Sequence, residues 1–309
     1  MHCFITGVSG FIGSTTAKLL LARGHTVSGL TSNESAMEPL RTMGISPVLG
    51  DLRQPQKWIS HLSNADAVIH LATLPIPARP GNRYVQDLNQ VQQSVTRQML
   101  TVLSPECKVF IYTSGISVYG NTPGNIDETS QINPCRIAVP YASGEKIALN
   151  AFKKEGRPVM VLRPAGVYGF GGVFGRFWAG PMIKGKRAVI PGNGKQLFSF
   201  IHIEDCANAY VRSVETPKPG EIFNISDDEP VPLGVMIRSL AAAMNAPSPF
   251  NIPPFLFNLM AGPIVGELLL NNKMASNLKM KEKLQAELKY PTYREGISAL
   301  AKGVRNPDS

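Results

Sequence analysis

Three glycines near the N-terminus have the spacing of a phosphate-binding loop. Gly7, Gly10 and Gly13 follow a short apolar run and precede a run with helical periodicity. Glycine permits a tight turn at the first position, close approach of a pyrophosphate at the second, and tight helix packing at the third. Because a helix N-terminus offers free N–H groups, the loop predicts a dinucleotide site formed by these glycines with Ser9, Phe11 and Ile12.

The end of the second predicted strand bears on the choice of dinucleotide. Residues 30–33 read Leu-Thr-Ser-Asn and contain neither an acid nor an arginine. An acid there would bind the ribose 2′-hydroxyl of NAD and repel the 2′-phosphate of NADP. The sequence therefore favours NADP(H) over NAD(H), with Thr31 and Ser32 beside the ribose. Asp51 and Leu52 follow the third predicted strand and lie along the adenine, unless Asp51 caps a helix instead.

The elements that must position this loop alternate between short apolar runs and helical runs over residues 1–168. This rhythm is typical of right-handed βαβ units. We expect an α/β protein with a Rossmann-type doubly wound parallel sheet in residues 1–168, to which segments near 198–225 return. Glycine and proline become more frequent after Gly169, and residues 169–309 are predicted to form mainly a smaller substrate-binding region.

Composition narrows the class of partner. The formal net charge is +9, but no run of five basic residues indicates a nucleic-acid site. Four separated cysteines without C-x-x-C spacing favour a reducing, cytoplasmic location and no metal site. The N-terminus lacks the pattern of a signal peptide. Prolines and glycines interrupt the apolar stretch 252–270, so we expect a substrate-facing helix or lid there rather than a membrane span.

Six motifs in order resemble the extended short-chain dehydrogenases/reductases, the NAD-dependent epimerase/dehydratase family. They are the glycine loop and residues 66–72, 112–120, 162–169, 200–207 and 220–225. The resemblance covers essentially the whole chain. It implies further cofactor contacts from Leu71, Ala72, Thr73 and Arg163, and a homodimer formed through helices 84–103 and 141–154.

The resemblance also implies a catalytic set, and this chain departs from it. The family uses a tyrosine as acid/base, with a lysine four residues later that lowers the phenol pKa. Here Tyr141 is followed four residues later by Glu145, which is expected to raise that pKa, and Lys146 comes one residue later. On a regular helix Lys146 is roughly 140° away from Tyr141, unless Gly144 permits a bulge or a late start.

A second departure lies on the fifth strand. Gly115 stands where the family has serine or threonine, which leaves Ser114 and Ser117 as candidates to orient the substrate oxygen. Two departures in one catalytic set leave open whether redox chemistry is retained.

Two positions bear on the substrate. Nucleotide-sugar enzymes of the family usually have asparagine where this chain has Gly166, and a diphosphate-binding arginine where it has Phe198. With the apolar residues Phe255, Phe257, Leu259 and Met260, which alternatively form core, these differences favour a small, fairly apolar substrate.

Three functions follow in order of preference. The first is an NAD(P)-dependent ketone/alcohol oxidoreductase. The second is a nucleotide-sugar epimerase or dehydratase. The third is a non-redox member that keeps the dinucleotide as a structural or sensing ligand.

Overall fold

The computed structural model describes residues 1–305, so the last four residues of the predicted substrate-binding region lie outside the described residues. The strands are β1 His2–Thr6, β2 Thr26–Thr31, β3 Ser46–Leu49, β4 Ala67–His70, β5 Val109–Thr113, β6 Val159–Pro164, β7 Gly166–Tyr168, β8 Val189–Pro191, β9 Leu197–Phe198, β10 Phe200–His202, β11 Ile222–Ile225, β12 Val231–Pro232 and β13 Phe250–Ile252. The α-helices are α1 Phe11–Ala22, α2 Met37–Thr42, α3 Asn82–Val102, α4 Val139–Glu155, α5 Gly172–Phe174, α6 Gly180–Ile183, α7 Ile203–Glu215, α8 Leu233–Ala243, α9 Pro254–Ala261, α10 Pro263–Leu269 and α11 Tyr293–Arg305.

Seven strands form the central sheet in the order β3-β2-β1-β4-β5-β6-β11. All neighbouring pairs are parallel, and Ile5 of β1, for example, pairs with Gly29 of β2 and Ile69 of β4. The chain changes winding direction at β1, which opens a crevice at the carboxyl ends of β1 and β4. The predicted Rossmann-type doubly wound sheet is therefore confirmed.

The sheet is covered on both faces because its strands carry apolar residues on both sides. Cys3 and Ile5 of β1 belong to one buried cluster with residues of α1 and α7, whereas Phe4 belongs to a second with residues of α3 and α4. Adjacent side chains on a strand point to opposite faces, so this alternation fixes which helices lie on which side.

A second, smaller core lies beyond the carboxyl edge of the sheet. It is rich in aromatic side chains, among them Tyr168, Phe174, Trp178 and Phe200, and it includes residues of α8 and α11. Three two-stranded ladders frame it, β7 with β10, β8 with β13 and β9 with β12. Between them the chain returns to the main sheet, because α7 packs on α1 and β11 pairs with β6.

The apolar stretch 252–270 forms two short helices, α9 and α10, which meet at Gly262. Gly262 has a φ of +88°, a backbone conformation that favours glycine. Among residues 1–305, no helix has both the length and the apolar character needed to cross a bilayer.

Candidate active site

A cavity of about 640 Å³ lies at the carboxyl ends of the sheet strands, between the sheet and the second core. The predicted residues that line it are Gly7, Ser9, Gly10, Phe11, Ile12, Gly13, Thr31, Ser32, Asp51, Leu52, Leu71, Ala72, Thr73, Ser114, Ser117 and Tyr141. Lys146 and Arg163 are absent from this lining.

The glycine loop has the geometry that a pyrophosphate requires. Gly7 adopts a φ of +73°, and a Cβ on Gly13 would lie 2.2 Å from the Gly7 carbonyl oxygen. No acidic side chain occupies the first turn of α1 and no side chain caps it, so the first backbone N–H groups of the helix stay available. These residues fit a dinucleotide, because the amides and the helix dipole together attract phosphate.

The cavity is polar near the ends of β2 and β3, where Ser9, Thr31 and Arg53 line it. Ser9 and Thr31 share a hydrogen bond of 2.7 Å between their hydroxyls. Arg53, which we did not predict, also lines the cavity, and its guanidinium donates a 2.7 Å hydrogen bond to Asp87. The sequence signal for it is its place two residues after Asp51, whose carboxylate accepts the Arg53 backbone N–H at 2.8 Å.

Tyr141 faces the cavity from the first turn of α4. Its hydroxyl shares a 2.9 Å hydrogen bond with the Thr73 hydroxyl, which follows β4. Burial raises the pKa of the Tyr141 phenol above its ordinary value, and the bond to Thr73 opposes that rise. The phenol is therefore protonated at neutral pH and can donate a proton.

Ser114 lies directly after β5. Its hydroxyl oxygen is buried and has no hydrogen-bond partner among the described residues. A buried hydroxyl without a partner is unusual in a folded protein and is free to bond a ligand oxygen. Gly115 beside it has extended backbone, and a Cβ there would make only ordinary contacts, 3.6 Å from the Pro164 carbonyl oxygen and 3.7 Å from the Ser117 hydroxyl.

Lys146 and Arg163 do not occupy their expected places. α4 is a continuous α-helix without a bulge, so Lys146 points away from the cavity and is exposed, beside a separate surface depression. Glu145 and Arg163 are each 3% exposed and form a buried ion pair, in which Arg163 Nε donates to Glu145 at 3.1 Å. Arg163 also donates to the Tyr119 hydroxyl at 2.6 Å.

Two further expectations about α4 are wrong. Because Glu145 is paired with Arg163, burial rather than the Glu145 charge raises the pKa of Tyr141. Gly144 does not relax the helix but makes room for a neighbour, since a Cβ there would lie 2.1 Å from the Tyr112 hydroxyl.

The substrate end of the cavity is mostly apolar. Its walls carry four aromatic and three aliphatic side chains from the second core and α10: Phe174, Trp178, Phe198, Phe200, Leu233, Leu268 and Leu269. Gly166 also lines it, and a Cβ at that position would lie 2.8 Å from the Phe200 ring. The expectation that residues 255–260 form this surface is wrong, because Phe255, Leu259 and Met260 are exposed and Phe257 packs in the second core.

One charged side chain at this end was also missed. Lys273 lines the cavity and is only 2% exposed. Burial lowers the pKa of its ammonium group below the ordinary value. Its position in a lysine-rich segment resembled a solvated surface, so the sequence carried no signal for it.

The site combines a Rossmann-type cavity that fits a dinucleotide with a tyrosine and a serine in the cavity wall. This combination indicates a protein that depends on a bound dinucleotide. The model of the NAD dependent epimerase/dehydratase family matches residues 3–226, and the chain belongs to that family. The predicted family is thus confirmed.

Two curated relatives span most of the chain. The chain is 26% identical to the epimerase family protein SDR39U1 homolog, chloroplastic, of Arabidopsis thaliana, over 97% of this chain and 86% of that protein. It is 24% identical to 4-hydroxy-2-methyl-3-oxo-4-farnesyl-3,4-dihydroquinoline-1-oxide ketoreductase of Stigmatella aurantiaca, over 75% of this chain and 70% of that protein.

Solved structures share the fold over the whole chain. UDP-glucuronic acid 4-epimerase from Bacillus cereus, in complex with UDP-glucuronic acid and NAD, superposes with a TM-score of 0.80 at 24% identity and covers 99% of this chain and 100% of its own. Human epimerase family protein SDR39U1 with NADPH superposes with a TM-score of 0.82 at 19% identity and covers 98% and 99%.

Proposed function

We propose that this protein is an NAD(P)-dependent oxidoreductase that interconverts a ketone and an alcohol on a small, fairly apolar molecule. One observation carries the proposal: Tyr141 and Ser114 line the same cavity as the glycine loop, the Ser114 hydroxyl has no partner among the described residues, and the substrate end is mostly apolar. The ketoreductase relative supports this reaction type.

The residues divide the work as follows. A bound nicotinamide dinucleotide supplies or accepts a hydride. Tyr141 holds a proton on its hydroxyl oxygen and donates it to the substrate oxygen during reduction, while Thr73 orients that hydroxyl. Ser114 donates a hydrogen bond to the same substrate oxygen. The aromatic walls exclude water and position the apolar body of the substrate.

Mutation of Tyr141 tests the chemistry. NADPH oxidation with a panel of aryl and alkyl ketones should fall by about 10²- to 10⁴-fold in Tyr141→Phe, while dinucleotide affinity is unchanged. Tyr293→Phe is the matched control, because Tyr293 packs in the second core and does not line the cavity. A purified protein that binds neither NADPH nor NADH, or a Tyr141→Phe variant with full turnover, would contradict the proposal.

NADP(H) is the proposed dinucleotide. Arg53 lines the same cavity as Thr31 and Ser32, and β2 does not end in an acid, so we expect the Arg53 guanidinium to bind the 2′-phosphate while it keeps its hydrogen bond to Asp87. Arg53→Met should weaken NADPH binding about tenfold and leave NADH binding unchanged, measured by cofactor fluorescence. Arg97→Met removes another exposed charge, on α3, and should change neither affinity, since Arg97 does not line the cavity.

A non-redox role is the second candidate. It is favoured by the placement of Lys146, since no lysine stands four residues after Tyr141 to lower the phenol pKa. A sensing protein would bind NADPH as tightly in Tyr141→Phe as in the wild type and turn over no ketone in either form.

A nucleotide-sugar epimerase or dehydratase is less favoured. Phe200 closes the space that an asparagine at position 166 would need, and Phe198 contributes an apolar wall. Thermal shift with UDP- and dTDP-sugars separates this function from the first, because a ligand of the folded state raises the melting midpoint.

The homodimer stays a prediction. α3 and α4 pack side by side on one face of the sheet, as the expected interface requires. Light scattering of the purified protein would give its mass in solution.

A further inference from the structure

Lys273 is held rigidly at the substrate end of the cavity. Its backbone N–H donates to the Leu197 carbonyl at 2.8 Å, and its carbonyl accepts from the Ser199 N–H at 2.8 Å. These two bonds pair Lys273 with Phe198 of β9. Phe198 stands at the position where related enzymes have an arginine. The lysine side chain and the Phe198 ring therefore line the same part of the cavity.

The Lys273 ammonium has almost no protein partner. Among the described residues its single hydrogen bond is a long one, 3.5 Å to the Asn272 carbonyl oxygen. No carboxylate of the described residues lies within 4 Å of it. Cys135 and Glu267 are the charged or titratable groups that act on it, and Glu267 is already engaged by Arg136, whose Nε donates at 2.7 Å.

A buried ammonium with one weak hydrogen bond is costly for a folded protein. Such a group persists where a ligand supplies the missing acceptors. The cavity around it offers aromatic and aliphatic walls but no second lysine or arginine at this end, among the residues that line it. The ligand that fits is an apolar molecule with a single compact anionic group.

We propose that Lys273 determines substrate specificity by binding a carboxylate on an otherwise apolar substrate. The assignment rests on the proposed function in one respect, namely that the substrate occupies the apolar end of the cavity. A diphosphate is the competing source of anionic oxygen. One buried cation beside Phe198 suits a single carboxylate better than two phosphate groups.

Binding of matched acid and amide probes tests this. We would titrate NADPH-loaded protein with trans-cinnamate, 4-phenylbutyrate and decanoate, each against its neutral primary amide, by calorimetry. At least one acid should bind the wild type about 10- to 100-fold more tightly than its amide. Lys273→Met should remove that difference, and Lys273→Arg should retain part of it.

Lys195→Met is the matched control. Lys195 is exposed, lies shortly before the Phe198 strand and does not line the cavity, so its loss removes the same charge without touching the proposed contact. The acid-to-amide ratio should stay at the wild-type value in this variant.

Two results would overturn the proposal. One is that the wild type binds no acid, or none more tightly than its amide. The other is that UDP-glucose binds in a Lys273-dependent manner, which would assign the lysine to a diphosphate. NADPH affinity is measured in separate titrations of the unloaded protein, so loss of dinucleotide binding, which would refute the proposed function, is distinguished from loss of acid selectivity.

Discussion

The cavity joins two halves that hold their ligands by different means. At the cofactor half, backbone groups of β1 and α1 face the phosphate position, and their geometry depends on glycines such as Gly7 and Gly13. At the substrate half, side chains from β9, β10, α8 and α10 converge, and their contacts depend on how the chain pairs after Gly169. The cofactor half is therefore suited to one kind of ligand. The ligand preference of the substrate half can change with single side-chain substitutions.

Two buried cations of the molecule have different partners. Arg163 of β6, which does not line the cavity, forms an ion pair with Glu145 and donates a hydrogen bond to the Tyr119 hydroxyl. Lys273, at the substrate end, has no carboxylate partner among residues 1–305. We interpret the first charge as structural and the second as available to a ligand.

The largest expected effect comes from breaking the structural pair. Glu145→Ala leaves the Arg163 guanidinium buried without its carboxylate, which should cost about 3–5 kcal/mol of unfolding free energy in urea denaturation. Glu229→Ala, which breaks the exposed pair with Arg294, is the control and should cost far less, because water screens an exposed pair. Equal costs for the two variants would show that Arg163 is not dependent on Glu145.

Most of the cofactor half could be predicted from the sequence, because its residues follow strands whose order is set by βαβ alternation. The loop, Thr31, Thr73, Ser114 and Tyr141 all come to one edge of the sheet for this reason. The side-chain direction on α4 was harder to predict, since one residue of offset moves a side chain to another face of the helix. Because α4 is a regular helix, the Lys146 side chain points away from the cavity.

The substrate half could not be predicted in the same way. Its ladders are two or three residues long and join segments far apart in the chain, as in the bridge between Phe198 and Lys273. Hydrophobicity alone does not distinguish a cavity wall from an exposed apolar residue, which is why residues 255–260 were misplaced. Lys273 lies in the same lysine-rich segment as exposed lysines that follow it, so the sequence does not distinguish it from them.

The next largest effect should come from the glycine loop. A methyl group on Gly13 meets the Gly7 carbonyl oxygen at 2.2 Å, and backbone atoms cannot yield as a flexible side chain can. Gly13→Ala should therefore lower the unfolding free energy by about 1–3 kcal/mol and weaken NADPH binding. Gly81→Ala meets no atom within 4 Å and should cost less than about 1 kcal/mol, with NADPH affinity unchanged.

A smaller effect concerns how the stability of the folded protein depends on pH. Burial raises the pKa of Asp227, which follows β11, to about 8. The folded protein thus keeps a proton that the unfolded chain releases above about pH 4, so stability falls as pH rises towards 8. Burial lowers the pKa of His70, in the cofactor half, to about 4, so its contribution instead falls as pH drops below about 6.5.

Unfolding measurements between pH 6.5 and 8 isolate the Asp227 contribution. The wild type should lose up to about 1.4 kcal/mol of stability per pH unit over this range, and Asp227→Asn should flatten the slope. Glu106→Gln replaces an exposed acid and should keep the wild-type slope. A wild-type profile that is already flat would mean that Asp227 ionises in the folded protein well below pH 6.5.

The smallest expected effect tests whether the catalytic end of the cofactor half is incomplete. Gly115 has extended backbone and room for a Cβ, so Gly115→Ser adds a hydroxyl where related enzymes have one without displacing Pro164 or Ser117. If that hydroxyl bonds the substrate oxygen, turnover should rise about 2- to 10-fold relative to Gly115→Ala, which adds the Cβ alone. Ketone reduction by the two variants at saturating NADPH gives the comparison. Equal turnover in both would indicate that Ser114 already supplies the contact, because its buried hydroxyl has no other partner among the described residues.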